Sequence, residues 1–310
     1  MQAFNWPAFF FRIAVTKTRE SHPIAKQTPK KMKQFALFLF LMIQPILSYS
    51  QVFKVEISGK GQPMLLIPGY SCSGEVWKET VAQLKDRFEC HVLTLPGYAG
   101  VAPIEAPILE KVKDDILAYV KEKKMEKPML IGHSLGAFMS LWVASEAPEL
   151  FGKIIAVDGV PFISAMYDPS ATAESMRANP QMNPEVVVNN FINQPNEGFI
   201  ERTTQAMGFQ VEDQNRARQI AIWQYEGDRK TLGLTFVEMS TTDLRGRLSA
   251  IVSPILVLGS IYGNESTSQM VLQQQYAQAK DKTIKIAQSK HFIMYDQPEW
   301  FFAEIEAFLK

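Results

Sequence analysis

Two rhythms of apolar residues alternate along the chain after Gln51. Residues 52–57 alternate apolar and polar, which is the period of a half-exposed strand. Residues 64–67 (Met-Leu-Leu-Ile) form a continuous apolar run stopped by Pro68-Gly69, which predicts a strand buried on both faces. Residues 75–88 follow with helical spacing, placing Val76, Trp77, Val81, Leu84 and Phe88 on one face. Residues 91–95 predict the next strand, ended by Pro96-Gly97. Residues 108–123 predict an amphipathic helix with Ile108, Val112, Ile116, Leu117 and Val120 inward. A third buried strand is expected at 129–131, an almost wholly apolar helix at 135–147 and another strand at 154–157. Strand signals return at 255–258 and 283–286. A helix over 298–309 closes the pattern, with Pro298 in its first turn.

This alternation predicts an α/β fold: a doubly wound, mostly parallel sheet with helices on both faces. The pattern breaks between Pro161 and about Arg247, where no buried-strand run occurs. That stretch is polar, rich in Met and Gln, and punctuated by Asn-Pro at 179–180 and 183–184. It predicts several short helices inserted into the α/β frame. The expected division is a first core part at 51–160, an insertion at 161–247 and a second core part at 248–310.

The first fifty residues follow neither rhythm. Lys30, Lys31 and Lys33 precede a 13-residue apolar run at 35–47, and Ser48-Tyr49-Ser50 follow it. These are the n-region, h-region and small-residue cleavage site of a signal peptide, so residues 1–50 are read as an N-terminal extension and signal peptide cut after Ser50. Export to the periplasm or the extracellular space is the expectation. The run is too short to span a bilayer comfortably, which leaves an uncleaved anchor as the alternative. Met32 stands where such a peptide ordinarily starts, so residues 1–31 read as an upstream extension or a long n-region.

Composition narrows the partners. Lys+Arg and Asp+Glu are both 32, so a nucleic acid or an acidic surface is not an expected partner. The two cysteines, Cys72 and Cys90, cannot make a disulfide framework. No CxxC or HExxH pattern occurs, and neither a metal nor a cofactor is expected.

One motif carries chemistry. Gly132-His133-Ser134-Leu135-Gly136 lies directly between the predicted strand at 129–131 and the helix at 135–147. This is G-x-S-x-G in strand–turn–helix context, the nucleophile elbow. The turn is so tight that side chains at 132 and 136 would collide with neighbouring backbone. Ser134 is thereby pushed above the sheet at a helix N-terminus, where developing negative charge is favoured. The backbone N–H of Leu135 is the expected first oxyanion donor.

The chain resembles the alpha/beta-hydrolase-fold family with a helical cap, from about residue 52 to 310. The resemblance is carried by Leu66-Ile67-Pro68-Gly69-Tyr70, by Gly132 to Gly136, and by Lys290-His291-Phe292 followed by Asp296-Gln297-Pro298-Glu299. The segment 93–100 is also similar, although Thr94 stands where many relatives carry Asp. The resemblance implies that the insertion is a cap and that Ser134 is the nucleophile of a serine hydrolase. Chemistry that needs Asp at that position, such as dehalogenation or epoxide hydrolysis, is disfavoured.

The resemblance also guides the choice of the partners of Ser134. A serine hydroxyl needs a general base, and histidine suits the task near neutral pH. Of four histidines, His22 lies in the extension, His91 is read as opening a strand, and His133 as pointing away from the base position. His291 follows the last strand, at the carboxyl ends where open α/β sheets bind ligands, and it holds the family position of the base.

The acid is ambiguous. Most relatives place it just beyond the strand at 255–258, where Gly263 stands here and Glu265 lies two residues late. Some relatives carry it one strand earlier, which makes Asp158 the preferred candidate and Glu265 the alternative. By resemblance the second oxyanion donor is the backbone of Tyr70. Phe162, Met166, Met176, Met182, Phe191, Ile192, Phe199, Met207, Phe209 and Trp223 are available to line an apolar pocket.

The implied reaction is cleavage of a carboxylic ester or related acyl bond of a small, apolar substrate through an acyl-enzyme. Carbon–carbon or amide hydrolysis, acyl transfer, and a non-catalytic binding role are the alternatives.

Overall fold

In the computed structural model the apolar runs become a seven-stranded sheet: β1 (Lys54–Gly59), β2 (Gln62–Ile67), β3 (Phe88–Thr94), β4 (Met129–His133), β5 (Ile154–Val157), β6 (Ile255–Gly259) and β7 (Lys282–Ile286). The structure describes residues 51–310. The expected extension, signal peptide and cleavage position at 1–50 lie outside the described residues. The strand order is β1-β3-β2-β4-β5-β6-β7. Every neighbouring pair is parallel except β1 with β3. All residues of β4, β5 and β6 are buried, as parallel strands covered on both faces require. β1 is half-exposed at the edge.

Helices cover both faces. α1 (Lys78–Leu84), α2 (Ile108–Glu122) and α3 (Leu135–Glu146) alternate with the first strands. Between β5 and β6 the chain forms α4 (Ser164–Tyr167), α5 (Ala173–Ala178), α6 (Pro184–Ile192), α7 (Phe199–Met207), α8 (Gln214–Glu226) and α9 (Arg229–Thr241), with no intervening strand among the described residues. α10 (Glu265–Gln275) precedes β7, and α11 (Ile293–Asp296) and α12 (Pro298–Leu309) follow it. One apolar cluster joins Leu65, Leu130, Ala156 and Val257 to α2, α3 and Leu272 of α10. The other joins Met64, Ile131, Ile155 and Leu256 to Leu84 of α1 and Phe301 of α12. Side chains alternate across a strand, so these two clusters lie on opposite sides of the sheet.

Local chemistry explains the short helices. Asn183 caps α6 through its side chain and Pro184 takes the first helical position. Asp213 and Asp228 cap α8 and α9 in the same manner. The Asn-Pro pairs thus start helical turns instead of merely interrupting them. No helix among the described residues is long and apolar enough to cross a membrane.

Two boundaries differ from expectation. The helix expected over 75–88 begins as a 3-10 turn, Gly74–Trp77, and ends at Leu84. Phe88 instead starts β3, because it pairs with Gln62 of β2 while Glu89 pairs with Gly59 of β1. Pairing on both sides overrides the helical spacing. His91 therefore lies mid-strand and fully buried, bonded to the Tyr119 hydroxyl at 2.7 Å and to Glu89 at 2.8 Å. Thr94, the departure from the family pattern, accepts the Gly74 N–H at 2.9 Å and so fixes the start of the 3-10 turn.

Candidate active site

β4 delivers the chain to Ser134 and α3 carries it away, leaving Ser134 at φ 53°, ψ −116°. A non-glycine residue pays for such a conformation, and the surroundings must hold it. The Ser134 N–H donates to the carbonyl of Val157 at 2.9 Å. A Cβ at Gly132 would sit 2.2 Å from the Gly136 carbonyl oxygen, and one at Gly136 would sit 2.0 Å from that of Ile67. Both glycines are required by backbone, as the motif's spacing predicts.

His291 lies in the loop between β7 and α11. Its Nδ1 is 2.6 Å from Asp158 Oδ2. Nδ1 carries the proton in this contact, so Nε2 is the ring nitrogen left to act as base. Asp158 follows β5 directly, at φ 43°. Its side chain is fully buried, a placement that demands compensation. The compensation is complete. Oδ1 accepts from the Ser260 N–H at 2.7 Å and the Tyr262 hydroxyl at 2.7 Å, and Oδ2 accepts from the Ser260 hydroxyl at 2.9 Å as well as from His291. Burial alone would raise its pKa. The hydrogen bond and charge of His291, with the bonds from Tyr262 and Ser260, outweigh burial and hold the carboxyl below the ordinary value.

The structure brings Asp158, and not Glu265, to the base. Glu265 is the exposed first residue of α10 and accepts from Gln288 Nε2 at 3.2 Å. A carboxylate there suits the helix N-terminus. Ser260 and Tyr262, which follow β6, carry no motif that marks them as donors in the sequence.

His133 is nearer the site than expected. Its ring centroid is 4.6 Å from that of His291, and its Nε2 donates to the His291 carbonyl at 3.0 Å. Burial, then the charge of His291, depresses its pKa to about 3, so the ring is neutral. It braces the base loop.

Leu135 is the first residue of α3, and its N–H has no partner within the helix. Tyr70 lies in the turn closed by Cys72 N–H to Gly69 carbonyl at 3.2 Å. Its hydroxyl donates to the Leu232 carbonyl of α9 at 2.8 Å, which ties the turn to the inserted helices. Burial pushes the Cys72 thiol up to about 12, which keeps it protonated and inert.

Ser134, His291, Asp158 and Tyr70 line one cavity of about 520 Å³. Its far walls come from the inserted helices. Of the expected apolar liners, Met166, Phe191, Met207 and Phe209 reach it. Phe162 and Met176 pack instead in a separate cluster with Ala165 and Ala171. Trp223 joins the core, Phe199 packs on Tyr225, and Ile192 is exposed. Phe138, Ile163, Phe236 and Met239, which the apolar pattern does not mark as liners, also face the cavity. Among the described residues no cluster of His, Cys, Asp and Glu has the makings of a metal site.

Sheet order, elbow and the His291–Asp158 pair are those of an alpha/beta hydrolase, and residues 64–304 match the model of the alpha/beta hydrolase family. The chain belongs to that family. Among curated relatives, the pimeloyl-acyl-carrier-protein methyl ester esterase of Vibrio campbellii is 35% identical over 107 residues, which is 34% of this chain and 41% of that protein. The first alignments therefore span less than half of those relatives' length. The esterase of the same name from Vibrio vulnificus is 24% identical over 260 residues, covering 82% of this chain and 96% of that one. Among solved structures, the enol-lactonase from Burkholderia xenovorans superposes with a TM-score of 0.66 at 15% identity, covering 83% of this chain and 96% of its own. A thermophilic esterase from Thermogutta terrifontis gives a TM-score of 0.66 at 17% identity, with 83% and 92% covered. These likenesses show the fold.

Proposed function

We propose that the protein is a serine esterase that cleaves carboxylic esters of apolar acyl groups through a covalent acyl-enzyme. The observation that carries this reading is the 2.6 Å contact between His291 Nδ1 and Asp158 beside a strained Ser134, all opening on one cavity. Ser134 Oγ attacks the ester carbonyl while His291 Nε2 takes its proton. Asp158 holds the imidazole in the Nδ1–H tautomer and stabilises the imidazolium. The N–H groups of Leu135 and Tyr70 receive the oxyanion. His291 then protonates the leaving alcohol. Water enters and attacks the acyl carbon as its proton passes to the same nitrogen; the bond from the acyl carbon to Ser134 Oγ then breaks, His291 returns the proton to Oγ, and the acid leaves. No cofactor takes part in this sequence.

The cavity wall of Met166, Phe191, Phe236 and Met239 favours an aliphatic or aromatic acyl group over a sugar or phosphate. Relatives named for a methyl ester of an acyl chain support the same class of bond. Export after cleavage at Ser50 belongs to this reading and rests on the apolar run at 35–47. It predicts a mature chain starting at Gln51, which intact-mass measurement of the secreted protein checks.

Rates on p-nitrophenyl esters of increasing acyl length test the activity. The expected profile rises with chain length until the cavity is filled and then falls. A flat profile at the rate of solvent hydrolysis contradicts the proposal.

A further inference from the structure

The irregular loop that carries His291, together with the short helix α11 that follows it, is bonded to one connecting segment of the insertion. The segment is 208–212, between α7 and α8. Lys290 Nζ donates to the Gly208 carbonyl at 2.8 Å. The Phe292 N–H donates to the Gln210 carbonyl at 3.2 Å. The Glu212 N–H donates to Asp296 Oδ1 at 2.9 Å. These contacts fall one residue before His291, one after it and five after it. Val211, between the last two, is fully buried in the apolar cluster that includes Phe292. A second brace follows: the Arg216 guanidinium lies 4.3 Å from the Tyr295 ring centroid and pairs with Glu79 at 2.6 Å.

We propose that residues 208–212 are a strap that positions the base His291, and that Asp296 is the positioning residue that anchors it. Asp158 fixes one ring nitrogen and so sets the tautomer. It does not fix the backbone from which the ring hangs. His133 holds that backbone from the sheet side through the His291 carbonyl. The strap holds it from the cap side. Asp296 is half-buried, and burial raises its pKa while the backbone N–H groups of Glu212 and Lys290 offset that rise. Such a carboxylate is costly, and it faces the strap and the backbone beside His291 instead of a group of the reaction. A misplacement of about 1 Å in a reacting group can cost on the order of 100-fold in rate, so three bonds on a loop of this kind have kinetic weight. The cap then completes the seat of the base as well as covering the cavity.

The inference rests on the esterase reading, and its test separates the two. Asp296→Ala, Asp296→Asn and Lys290→Met are compared with the wild type on one p-nitrophenyl ester. Amide hydrogen exchange is followed at 210–212 and at Phe292. Asp296→Ala is expected to lower kcat about 10-fold or more with KM within about twofold. Asp296→Asn keeps the Oδ1 acceptor and is expected to recover most of that loss. Lys290→Met, which releases the other end of the strap, is expected to lower kcat several-fold and serves if Asp296→Ala does not fold. Exchange at Phe292 and the strap is expected to quicken in Asp296→Ala. Unchanged kcat in folded Asp296→Ala, an equal loss in Asp296→Asn, or a rise in KM alone overturns the strap. A wild type that hydrolyses no ester defeats the esterase reading instead, and the exchange rates then decide the strap: no quickening at Phe292 refutes it.

Discussion

Asp158 is a carboxylate with no exposure and four donors, and that combination decides its role. A buried charge of this kind persists only when every lone pair is served. Asp158→Asn should lower kcat about 100- to 10,000-fold, because the amide cannot hold the Nδ1–H tautomer. Glu265→Gln should stay within about twofold of wild type, and steady-state kinetics on both variants distinguishes the candidates. The donors Ser260 and Tyr262 stand more than a hundred positions from Asp158 in the chain, so the sequence leaves two acids open that the folded chain separates. His133 makes a second residue-scale prediction. Its folded pKa of about 3 lies below the ordinary imidazole value of 6.5. The unfolded chain therefore binds a proton that the folded chain refuses throughout that window, and stability falls as pH drops from 6.5 towards 3. Asp158, also depressed, acts in the same direction at the acid end: its contribution is present above the unfolded carboxyl pKa and is lost as pH falls through the lower folded value. His133→Leu should flatten the pH dependence of urea unfolding by about one proton between pH 6 and 4. An unchanged slope would mean that His133 is already charged in the fold.

The strand–turn–helix of β4, Ser134 and α3 is the element on which the site hangs. Its glycines are set by clearance. A methyl group at Gly136 would lie 2.0 Å from the Ile67 carbonyl oxygen and 2.7 Å from that of Pro68, and backbone cannot yield as a side chain can. Gly136→Ala should cost more than about 3 kcal/mol, the upper range for overpacking, while Gly246→Ala, with nothing within 4 Å, should leave the melting temperature nearly unchanged. Calorimetry of the two variants reads the contrast. The elements around the elbow were the most legible part of the chain. Runs such as 129–131 and 154–157 are buried on both sides, and nothing competes with their apolar signal. The helical spacing of 75–88 fails at its end because Phe88 pairs with Gln62 of β2 while the next residue, Glu89, pairs with Gly59 of β1. Helical spacing carries no trace of such long-range pairing. His91 moved from a strand opening to a strand interior for the same reason.

At the scale of the whole molecule, the inserted helices complete what the sheet begins. They roof a cavity of about 520 Å³ whose floor is Ser134 and His291. The insertion is legible as a break in the α/β rhythm, and its two Asn-Pro pairs start a 3-10 turn and α6. Its lining was only half legible, since Met and Phe fill cavities and pack cores with equal ease. Phe162 is buried in the small cluster with Ala165 and Ala171 while Phe236 lines the cavity, and nothing local in the sequence distinguishes them. The strap at 208–212 belongs to this scale too, since it joins cap and base across about eighty residues of chain. The central claim is that one serine, activated by His291 and Asp158, performs acyl transfer in this cavity. Labelling with a fluorophosphonate followed by peptide mass spectrometry tests it most directly. One adduct is expected, on Ser134, absent from Ser134→Ala and strongly slowed in His291→Ala. A folded wild type that takes no label, or takes it on any other residue, would contradict it.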